Sequence, residues 1–247
     1  MRWGPHDLAP GTSLDLALGT LRCRVHRGRL EWEVEYRYDQ DRFVRESGDE
    51  TSRVRFTAGS GVSGVVVVPS LADRSVVASP VDPIRIPPGA AATLYVSTPV
   101  WVRIETAAGG DVLADLPAQI LSDTWFGPDT RVGELAYANE TQARMDVDRL
   151  PLRPDRVTTP VTLTNAGGEV LAVEHVNLPT PELSVYEASG RLWTQGVRIT
   201  THGAGDSGEL RLSDGPPSHL SGAELRQGPR RQASRESVTR ALSMLFR

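Results

Sequence analysis

A glycine-rich stretch at residues 59–64 carries the sequence pattern with the best-known binding chemistry. It reads GSGVSG and matches the G-x-G-x-x-G signature of dinucleotide-binding loops. In such a loop the glycines follow a strand and open a helix, whose N-terminus meets the pyrophosphate. Here four valines and a proline follow, at residues 65–69, and they disfavour a helix. We therefore interpret the stretch as a connection between strands and expect no cofactor.

Histidines and paired carboxylates are too scattered in the sequence to indicate an active site. The five histidines form no H-E-x-x-H or H-x-H spacing, and there is no G-x-S-x-G nucleophile elbow. Asp146 and Asp148 would share one face of a strand, where two carboxylates can do acid–base work or hold a hard cation. With arginines nearby, a solvated face is the commoner outcome. We predict no catalytic residue and no metal ligand.

Two adjacent aromatic residues, Trp125 and Phe126, form the most unusual local feature. They precede Gly127, and we expect a loop at this position. One ring is expected to fill the core while the other closes a pocket or an interface, where aromatic residues are enriched. Two interpretations stay open. The pair is either a core plug between two lobes, or a ligand or partner contact that it shares with Glu134 and Tyr137.

The elements that must position these residues are predicted to be β-strands. The sequence has 26 valines and 19 threonines, while 23 glycines and 18 prolines interrupt short apolar runs. This profile is typical of many strands joined by turns. A length of 247 residues suits one large domain or two small ones. We predict an all-β protein of two antiparallel, sandwich-like lobes.

The clearest predicted element is a β-hairpin over residues 21–38, with a two-residue turn at residues 27–28. This turn would place Cys23 opposite Trp32 on an apolar face, and arginines opposite glutamates on the other face. A slip by one residue would reverse both faces, so we expect the pattern to determine the register.

The predicted organisation has five parts. They are a β lobe (1–115), a connector with the Trp-Phe-Gly loop (116–152), a second β lobe (153–213), a flexible arm (214–233) and a basic amphipathic helix (234–247). In that helix Val238, Leu242 and Leu245 recur at helical spacing, and Arg235 lies off the apolar stripe. Three interpretations of the helix remain: packing on its own body, docking on a protein partner or neighbouring subunit, or contact with a membrane surface or nucleic acid.

Composition and charge exclude several classes of function. The chain has no lysine, which excludes a Schiff-base lysine and a Walker-type phosphate loop, and a single cysteine excludes a disulfide framework and cysteine-rich zinc sites. Residues 59–229 hold 12 arginines and 20 acidic residues, a net charge of −8, whereas residues 230–247 hold five arginines and one acidic residue, a net charge of +4. Nucleic-acid binding is therefore not expected, and membrane contact is expected only through residues 230–247.

Hydropathy points to a cytoplasmic protein. The sequence has no run of 18 apolar residues, and no apolar segment follows a basic N-terminus. A transmembrane helix and a cleaved export signal are therefore not expected.

Several short motifs resemble a family of archaeal and bacterial proteins known only as a domain of unknown function, number four-three-two. The motifs are Trp125-Phe126-Gly127, residues 133–137 (GELAY), residues 160–165 (PVTLTN) and Leu192-Trp193-Thr194. The resemblance extends over roughly residues 10–200. It implies no activity, cofactor or catalytic residue, and the arginine-rich C-terminal segment is not part of it.

We expect the protein to be a non-catalytic interaction or scaffolding module that binds a protein partner or a second copy of itself. The alternative is a small-molecule binder or hydrolase with a site between the lobes, near Trp125, Phe126, Glu134 and Tyr137. A weaker alternative is an accessory subunit of a membrane-associated complex, with the basic tail touching anionic lipid.

Overall fold

The structure is a computed structural model that describes residues 2–39, 51–57, 62–107, 109–127, 131–203 and 208–232. In this part of the chain the protein is all-β, which confirms the predicted class: it has 21 strands and two single-turn 3-10 helices. None of the helices among the described residues is long and apolar enough to cross a membrane. The predicted helix with Arg235, Val238, Leu242 and Leu245 lies outside the described residues and stays a prediction.

The elements follow one another along the chain in this order. The strands are β1 (Gly4–Asp7), β2 (Thr12–Leu18), β3 (Leu21–Arg27), β4 (Glu31–Tyr38), β5 (Ser52–Thr57), β6 (Gly64–Ser70), β7 (Val76–Pro80), β8 (Ile84–Ile86), β9 (Ala91–Pro99), β10 (Trp101–Thr106), β11 (Val112–Pro117), β12 (Asp123–Phe126), β13 (Glu134–Thr141), β14 (Arg156–Asn165), β15 (Leu171–Val173), β16 (Val176–Leu178), β17 (Val185–Ala188), β18 (Arg191–Thr194), β19 (Val197–Thr201), β20 (Glu209–Leu212) and β21 (Glu224–Gln227). The 3-10 helices span Val147–Arg149 and Thr180–Glu182.

The first of two compact units comprises Met1–Ser70 and Pro99–Ile120. It contains two four-stranded antiparallel sheets, with strand orders β1-β6-β10-β11 and β2-β3-β4-β5. Alternate side chains of β3 are buried, as the period of two in a strand requires. Val25, Val67 and Ile104 are wholly buried and belong to the apolar core of this unit.

Strands β3 and β4 form the predicted hairpin, but the predicted register is wrong. Cys23 lies opposite Tyr36 rather than Trp32. The chain reverses over residues 28–30, between the end of β3 and the start of β4, and Leu30 in this turn is 81% exposed. The residue opposite Cys23 lies four positions further along β4 than predicted. Because four is an even number, the paired side chains of β3 and β4 still lie on the predicted faces.

The glycine-rich stretch leads into a strand, as predicted. Gly64 is the first residue of β6 and pairs with Asp7 of β1. A Cβ atom on Gly64 would lie 2.3 Å from the carbonyl oxygen of His6. A glycine is therefore required for the close approach of β1 to β6. Residues 59–61 of the motif lie outside the described residues.

The second compact unit comprises Leu71–Thr98 and Leu121–Arg247. Its sheets have the orders β12-β13-β7-β16, β20-β19-β14-β18-β17-β21 (with β9 also paired to β14) and β15-β8. Strands β13 and β7 run parallel, and β14 runs parallel to both β18 and β19. The prediction of purely antiparallel lobes is therefore wrong for this unit. Residues 99–120 belong to the other unit and form part of the long crossover that the parallel pair of β7 and β13 requires.

Candidate functional site

The four side chains predicted to share a contact site lie on one β-hairpin, but on its two faces. Trp125 and Phe126 are in strand β12 rather than in a loop, and Glu134 and Tyr137 are in β13. Phe126 pairs across the strands with Glu134, whereas Tyr137 pairs with Asp123. Since neighbours along a strand point to opposite faces, Trp125 and Tyr137 share one face, and Phe126 and Glu134 share the other.

The two aromatic rings of this hairpin have different environments. Phe126 is 6% exposed and packs with Val77 and Ala136 in the core of the second unit. Trp125 is 48% exposed, and its cross-strand neighbour Leu135 is 47% exposed. Phe126 therefore fills the core, while Trp125 and Leu135 present apolar surface to the outside.

Glycines on both sides of the hairpin turn allow the Trp125 indole to lie close to the backbone. A Cβ atom on Gly133 would be 2.7 Å from both Trp125 Nε1 and the carbonyl oxygen of Phe126. A Cβ atom on Gly127 would be 2.2 Å from the carbonyl oxygen of Val132. The glycine of the Trp-Phe-Gly motif is thus explained by close backbone approach rather than by ligand binding.

Tyr137 belongs to a small polar network at the surface. Its hydroxyl donates a hydrogen bond to Asp73 Oδ1 (3.0 Å), and the guanidinium of Arg74 lies 4.9 Å from the centre of its ring. Arg74 Nη1 also donates to Asp123 Oδ1 (3.0 Å). Partial burial and the hydrogen bond to Asp73 raise the pKa of Tyr137, so its phenol stays protonated and acts as a donor.

Glu134 points away from that network. Its Oε1 accepts a hydrogen bond from Nδ2 of Asn177, a buried residue of β16 (3.0 Å). The structure therefore splits the predicted set: Phe126 and Glu134 are engaged with the interior of the second unit, and Trp125 and Tyr137 are at its surface. The four side chains do not converge on one binding site.

A different place in the second unit has the shape of a binding site. It is a cavity of about 300 Å³ whose lining includes four arginines, and we call it the arginine cavity. Its lining residues are Val81, Tyr95, Ser97, Glu140, Thr141, Gln142, Ala143, Arg144, Leu150, Pro151, Arg153, Arg156, Thr158 and Arg191. The volume is at the lower end of the range for small-molecule pockets. The charge of its walls favours anions.

Arg156 is the buried member of the four arginines, with 7% of its surface exposed. Its Nε donates to Ser97 Oγ (2.8 Å), and its Nη2 donates to the carbonyl oxygen of Ser97 (2.7 Å) and to Asn139 Oδ1 (2.7 Å). These three hydrogen bonds fix the plane of the guanidinium.

Arg191 is oriented in the same way from another strand. Its Nη1 donates to the carbonyl oxygen of Pro151 (2.6 Å) and its Nη2 to that of Leu150 (3.0 Å). Arg153, by contrast, has a carboxylate beside it: its Nη2 is 3.6 Å from Asp155 Oδ2. Arg144 is exposed at the rim, where its backbone pairs with that of Tyr95.

Burial shifts the pKa values of two residues that line the cavity, Arg156 and Tyr95. Desolvation, reinforced by the positive charge of Arg153, lowers the pKa of Arg156 to about 10. This value is still well above neutral pH, so the guanidinium stays charged. Burial also raises the pKa of Tyr95, helped by the negative charges of Asp146 and Asp148. The cavity therefore presents cations and hydroxyl donors, which suit binding of an anion rather than proton abstraction.

Two serine–histidine contacts bear on the hydrolase alternative. Ser79 Oγ lies 2.9 Å from His175 Nδ1, and Ser13 Oγ lies 2.9 Å from His26 Nδ1. A nucleophile–base pair is normally completed by a third group that orients the base. Within the described residues, neither histidine has a carboxylate hydrogen-bonded to its ring. The described residues also hold no cluster of three or more histidine, cysteine or acidic side chains arranged for a metal ion.

Sequence reasoning missed the arginine cavity because its charged residues are far apart in the chain. Arg144, Arg153 and Arg156 come from the segment between β13 and the start of β14, and Arg191 opens β18. Strand β9 supplies Tyr95 and Ser97 from the other side. The one available signal was the density of arginine in residues 144–156. Alternating acidic residues in the same segment made it look like a solvated face.

The family model described as "Protein of unknown function (DUF432)" matches residues 2–246 of the chain. No curated protein and no solved structure gives a significant match.

Proposed function

We propose that this chain, which belongs to the DUF432 family, is a binding module that takes up a small anionic molecule in the arginine cavity. This proposal keeps the small-molecule alternative from the sequence but moves its site. The earlier candidates Trp125, Phe126, Glu134 and Tyr137 belong to the β12–β13 hairpin, whereas the cavity lies between β9, β14 and the segment that joins β13 to β14.

The observation that carries the proposal is the convergence of four arginines on one cavity whose lining includes one carboxylate, that of Glu140. Arg156 is buried, and its hydrogen bonds to Ser97 and Asn139 fix the plane of its guanidinium. Like charges gathered around one cavity favour a ligand of opposite charge. An anionic ligand would meet these cations where the protein has already fixed part of the donor geometry.

The chemistry of the cavity supports binding without catalysis. Arginine remains protonated at neutral pH and cannot act as a general base. The raised pKa of Tyr95 keeps its hydroxyl in the donor form. Ser97 and Thr158 add further hydroxyl groups to the walls. Such a set of groups neutralises and orients an anion, as a ligand-binding domain requires.

Thermal unfolding in the presence of matched solutes tests this proposal. Phosphate, glycerol 3-phosphate, succinate and citrate are compared with glucose and with sodium chloride at equal ionic strength. A ligand at about 100 times its Kd stabilises the protein by about 2.7 kcal/mol, a shift of several degrees in Tm. We expect at least one anion to give such a shift, and the Arg144→Gln variant to reduce it.

The Arg198→Gln variant is the matched control, because Arg198 is an exposed arginine of β19 that is not among the lining residues. It should respond to the anion like the wild type. The proposal is wrong if no anion shifts Tm beyond the sodium chloride control. It is also wrong if Arg144→Gln and Arg191→Gln together leave the shift unchanged.

Self-association through the β12–β13 hairpin is a second candidate, and one observation favours it. Among the described residues β12 is the edge strand of its sheet, and Trp125 and Leu135 expose apolar surface beside it. An edge strand can pair with its own copy about a two-fold axis, and aromatic side chains are enriched at such interfaces. We expect sedimentation velocity to show a concentration-dependent dimer that Trp125→Ala weakens. A monomer at all concentrations would remove this candidate.

A further inference from the structure

A buried arginine of the first unit points to a second binding site: we infer that Arg27 and Trp32 together bind a small monovalent anion such as chloride. Both residues belong to the first unit, whereas the arginine cavity is lined by residues of the second. The inference is therefore independent of the proposed function.

Arg27 occupies a position where the strand pattern favours an apolar side chain. It is the last residue of β3, in which Cys23 and Val25 are buried at alternate positions, and it continues this series at 7% exposure. Its backbone is held on both sides, since it pairs with Thr12 of β2 and with Trp32 of β4. Arginine is almost never fully buried unless it is paired. A charged residue at a core position is a departure from the local pattern of the kind found at functional sites.

The guanidinium of Arg27 lies over the ring of a wholly buried tryptophan. Its Cζ atom is 4.6 Å from the centre of the Trp32 ring, and Trp32 is 1% exposed. This cation–π contact uses the face of the indole and gives no hydrogen-bond acceptor to the N–H groups of either side chain. Arg27 Nε, Arg27 Nη1 and Trp32 Nε1 are all buried, and none has a hydrogen-bond partner among the described residues. Three donors at one place in the interior therefore lack an acceptor.

These unpaired donors indicate an acceptor that comes from outside the chain. A buried donor without a partner costs the full desolvation of that group, and native proteins pair nearly all of their buried polar groups. Because one of the two donor groups is a guanidinium, a negatively charged acceptor forms the stronger hydrogen bonds and also offsets the cost of the buried charge.

The glutamates nearest to Arg27 in the sequence have other partners. Glu33 lies on the outer face of β4, and its Oε1 is 2.7 Å from Nε of Arg53. Glu31, on the same face, has its Oε2 3.7 Å from Nη1 of Arg55. Within the part of the chain that the structure describes, no carboxylate pairs with Arg27. One unpaired cation matches one negative charge, and the burial of both side chains requires that the anion be small.

Thermal unfolding in sodium chloride and in sodium gluconate at equal ionic strength tests the inference. Gluconate has the charge of chloride but a long polyhydroxyl body that cannot be enclosed beside Trp32. General salt effects on stability act on every variant alike. We expect the difference in Tm between the two salts to be roughly 2–5 °C larger for the wild type than for Arg27→Met, at about ten times the Kd for chloride.

Arg27→Met removes the charge but keeps a long side chain that packs on Trp32. In gluconate it should be at least as stable as the wild type, because it removes an uncompensated buried cation. Arg24→Met is the matched control: Arg24 is an exposed arginine on the other face of β3, where it pairs with Asp15. It should keep the full chloride effect. Arg144→Gln should keep it too, which separates this site from the arginine cavity.

A second variant and a crystal extend the test. Trp32→Phe retains an aromatic ring under the guanidinium but lacks the indole N–H, so we expect it to weaken chloride binding about tenfold. This variant keeps the inference testable if Arg27→Met does not fold. In crystals of the protein grown in sodium bromide, the anomalous difference map should show a peak within hydrogen-bonding distance of Arg27.

Three results would overturn the inference. The first is an equal chloride effect in the wild type and in both Arg27→Met and Trp32→Phe. The second is loss of the effect in Arg144→Gln, which would assign it to the arginine cavity. The third is a crystal in which only water, without anomalous signal, lies beside Arg27. None of these results bears on whether the arginine cavity takes up an organic anion.

Discussion

Arg231 holds its Nε 3.5 Å from Oε1 of Glu182, a carboxylate whose side chain is only 1% exposed. The backbone N–H of Arg231 also donates to the carbonyl oxygen of Pro181 (3.1 Å). The preceding residue, Arg230, donates from Nε to the carbonyl oxygen of Leu71 (2.7 Å). The segment after β21 therefore supplies the counter-charge for a buried acid of the second unit.

Replacing that counter-charge should destabilise the protein. Removing one partner of a buried ion pair leaves an uncompensated charge, but Arg231 is itself half exposed, so solvent screens part of the effect. We expect Arg231→Gln to lower the free energy of unfolding by about 1–2 kcal/mol in urea denaturation. Arg211→Gln is the control: it breaks the exposed pair with Glu209 and should cost less than about 0.5 kcal/mol. Equal effects of the two variants would contradict this account.

Truncation of the chain on either side of Arg230 and Arg231 tests the same contacts. A chain that ends at residue 232 retains Arg230 and Arg231, whereas a chain that ends at residue 229 loses both and exposes Glu182 to solvent. We expect the shorter chain to unfold at a lower urea concentration than the longer one. Identical midpoints for the two truncated chains would show that these contacts do not matter for stability.

The close approach of Trp125 to Gly133 predicts a specific sensitivity to a methyl group. A Cβ atom at residue 133 would lie 2.7 Å from both Trp125 Nε1 and the carbonyl oxygen of Phe126. Strand or indole must then shift, and we expect Gly133→Ala to destabilise the fold by about 1–3 kcal/mol. Gly168→Ala is the matched control, since nothing lies within 4 Å of the added atom. Thermal unfolding of both variants measures the difference, and similar Tm values would contradict the close packing of Trp125 against Gly133.

The planar donor set of Arg156 predicts that lysine cannot replace it. A lysine keeps the charge but cannot donate to Ser97 and Asn139 with the same fork. At least one buried acceptor would then lose its donor, which costs about 1–3 kcal/mol. We expect Arg156→Lys to lower both the stability and the Tm shift produced by anions, whereas Arg198→Lys should change neither. Full anion response in Arg156→Lys would show that charge alone, without orientation, is sufficient.

The buried thiol of Cys23 predicts alkaline sensitivity. Burial, with a smaller contribution from the charge of Asp15, raises the pKa of Cys23 from 9.0 to about 12. The folded state therefore retains the thiol proton where the unfolded state loses it. The contribution of the Cys23 thiol to the free energy of unfolding is fully present below pH 9. It is lost as the pH rises from 9 towards 12, by up to about 1.4 kcal/mol per pH unit.

Two measurements check this expectation. At pH 8 a thiol-specific reagent should leave native Cys23 unmodified and react only after unfolding in guanidinium chloride. The Cys23→Ala variant should lose less stability than the wild type between pH 9 and 11. Rapid modification of the native protein would mean that the thiol is accessible and that its pKa is not raised.

The amino-acid pattern predicts strands well and contacts between distant strands poorly. The period of two over residues 21–38 gave the faces of β3 and β4, but any even shift preserves those faces, and the turn at residues 28–30 decided the register. No local sequence pattern predicts the parallel pairing of β7 with β13. The two strands are far apart in the sequence, because the chain between them contributes residues 99–120 to the other unit.

The candidate site was harder to predict from the sequence than the strand pairing. The adjacency of Trp125 and Phe126 drew attention to a hairpin whose glycines serve packing. The arginine cavity depends on Arg156 meeting Ser97 across 59 residues of chain and on Arg191 reaching back to Leu150. Neither contact is indicated by a periodic pattern or by a motif in the sequence. Only the three-dimensional arrangement distinguishes a guanidinium oriented by neutral oxygens from one at a solvated surface.

The interleaving of the two units has a consequence for biosynthesis. The first unit has all its strands once residue 120 has left the ribosome. Strand β7 by then has neither of its partners, since β13 begins at Glu134 and β16 at Val176, and β9 waits for β14. During translation the apolar side chains of Val76 and Leu94, wholly buried in the finished fold, are therefore bare. Because transiently exposed apolar strands make a chain prone to aggregation, we expect the nascent chain to be a chaperone substrate until residues 134–165 are available for pairing.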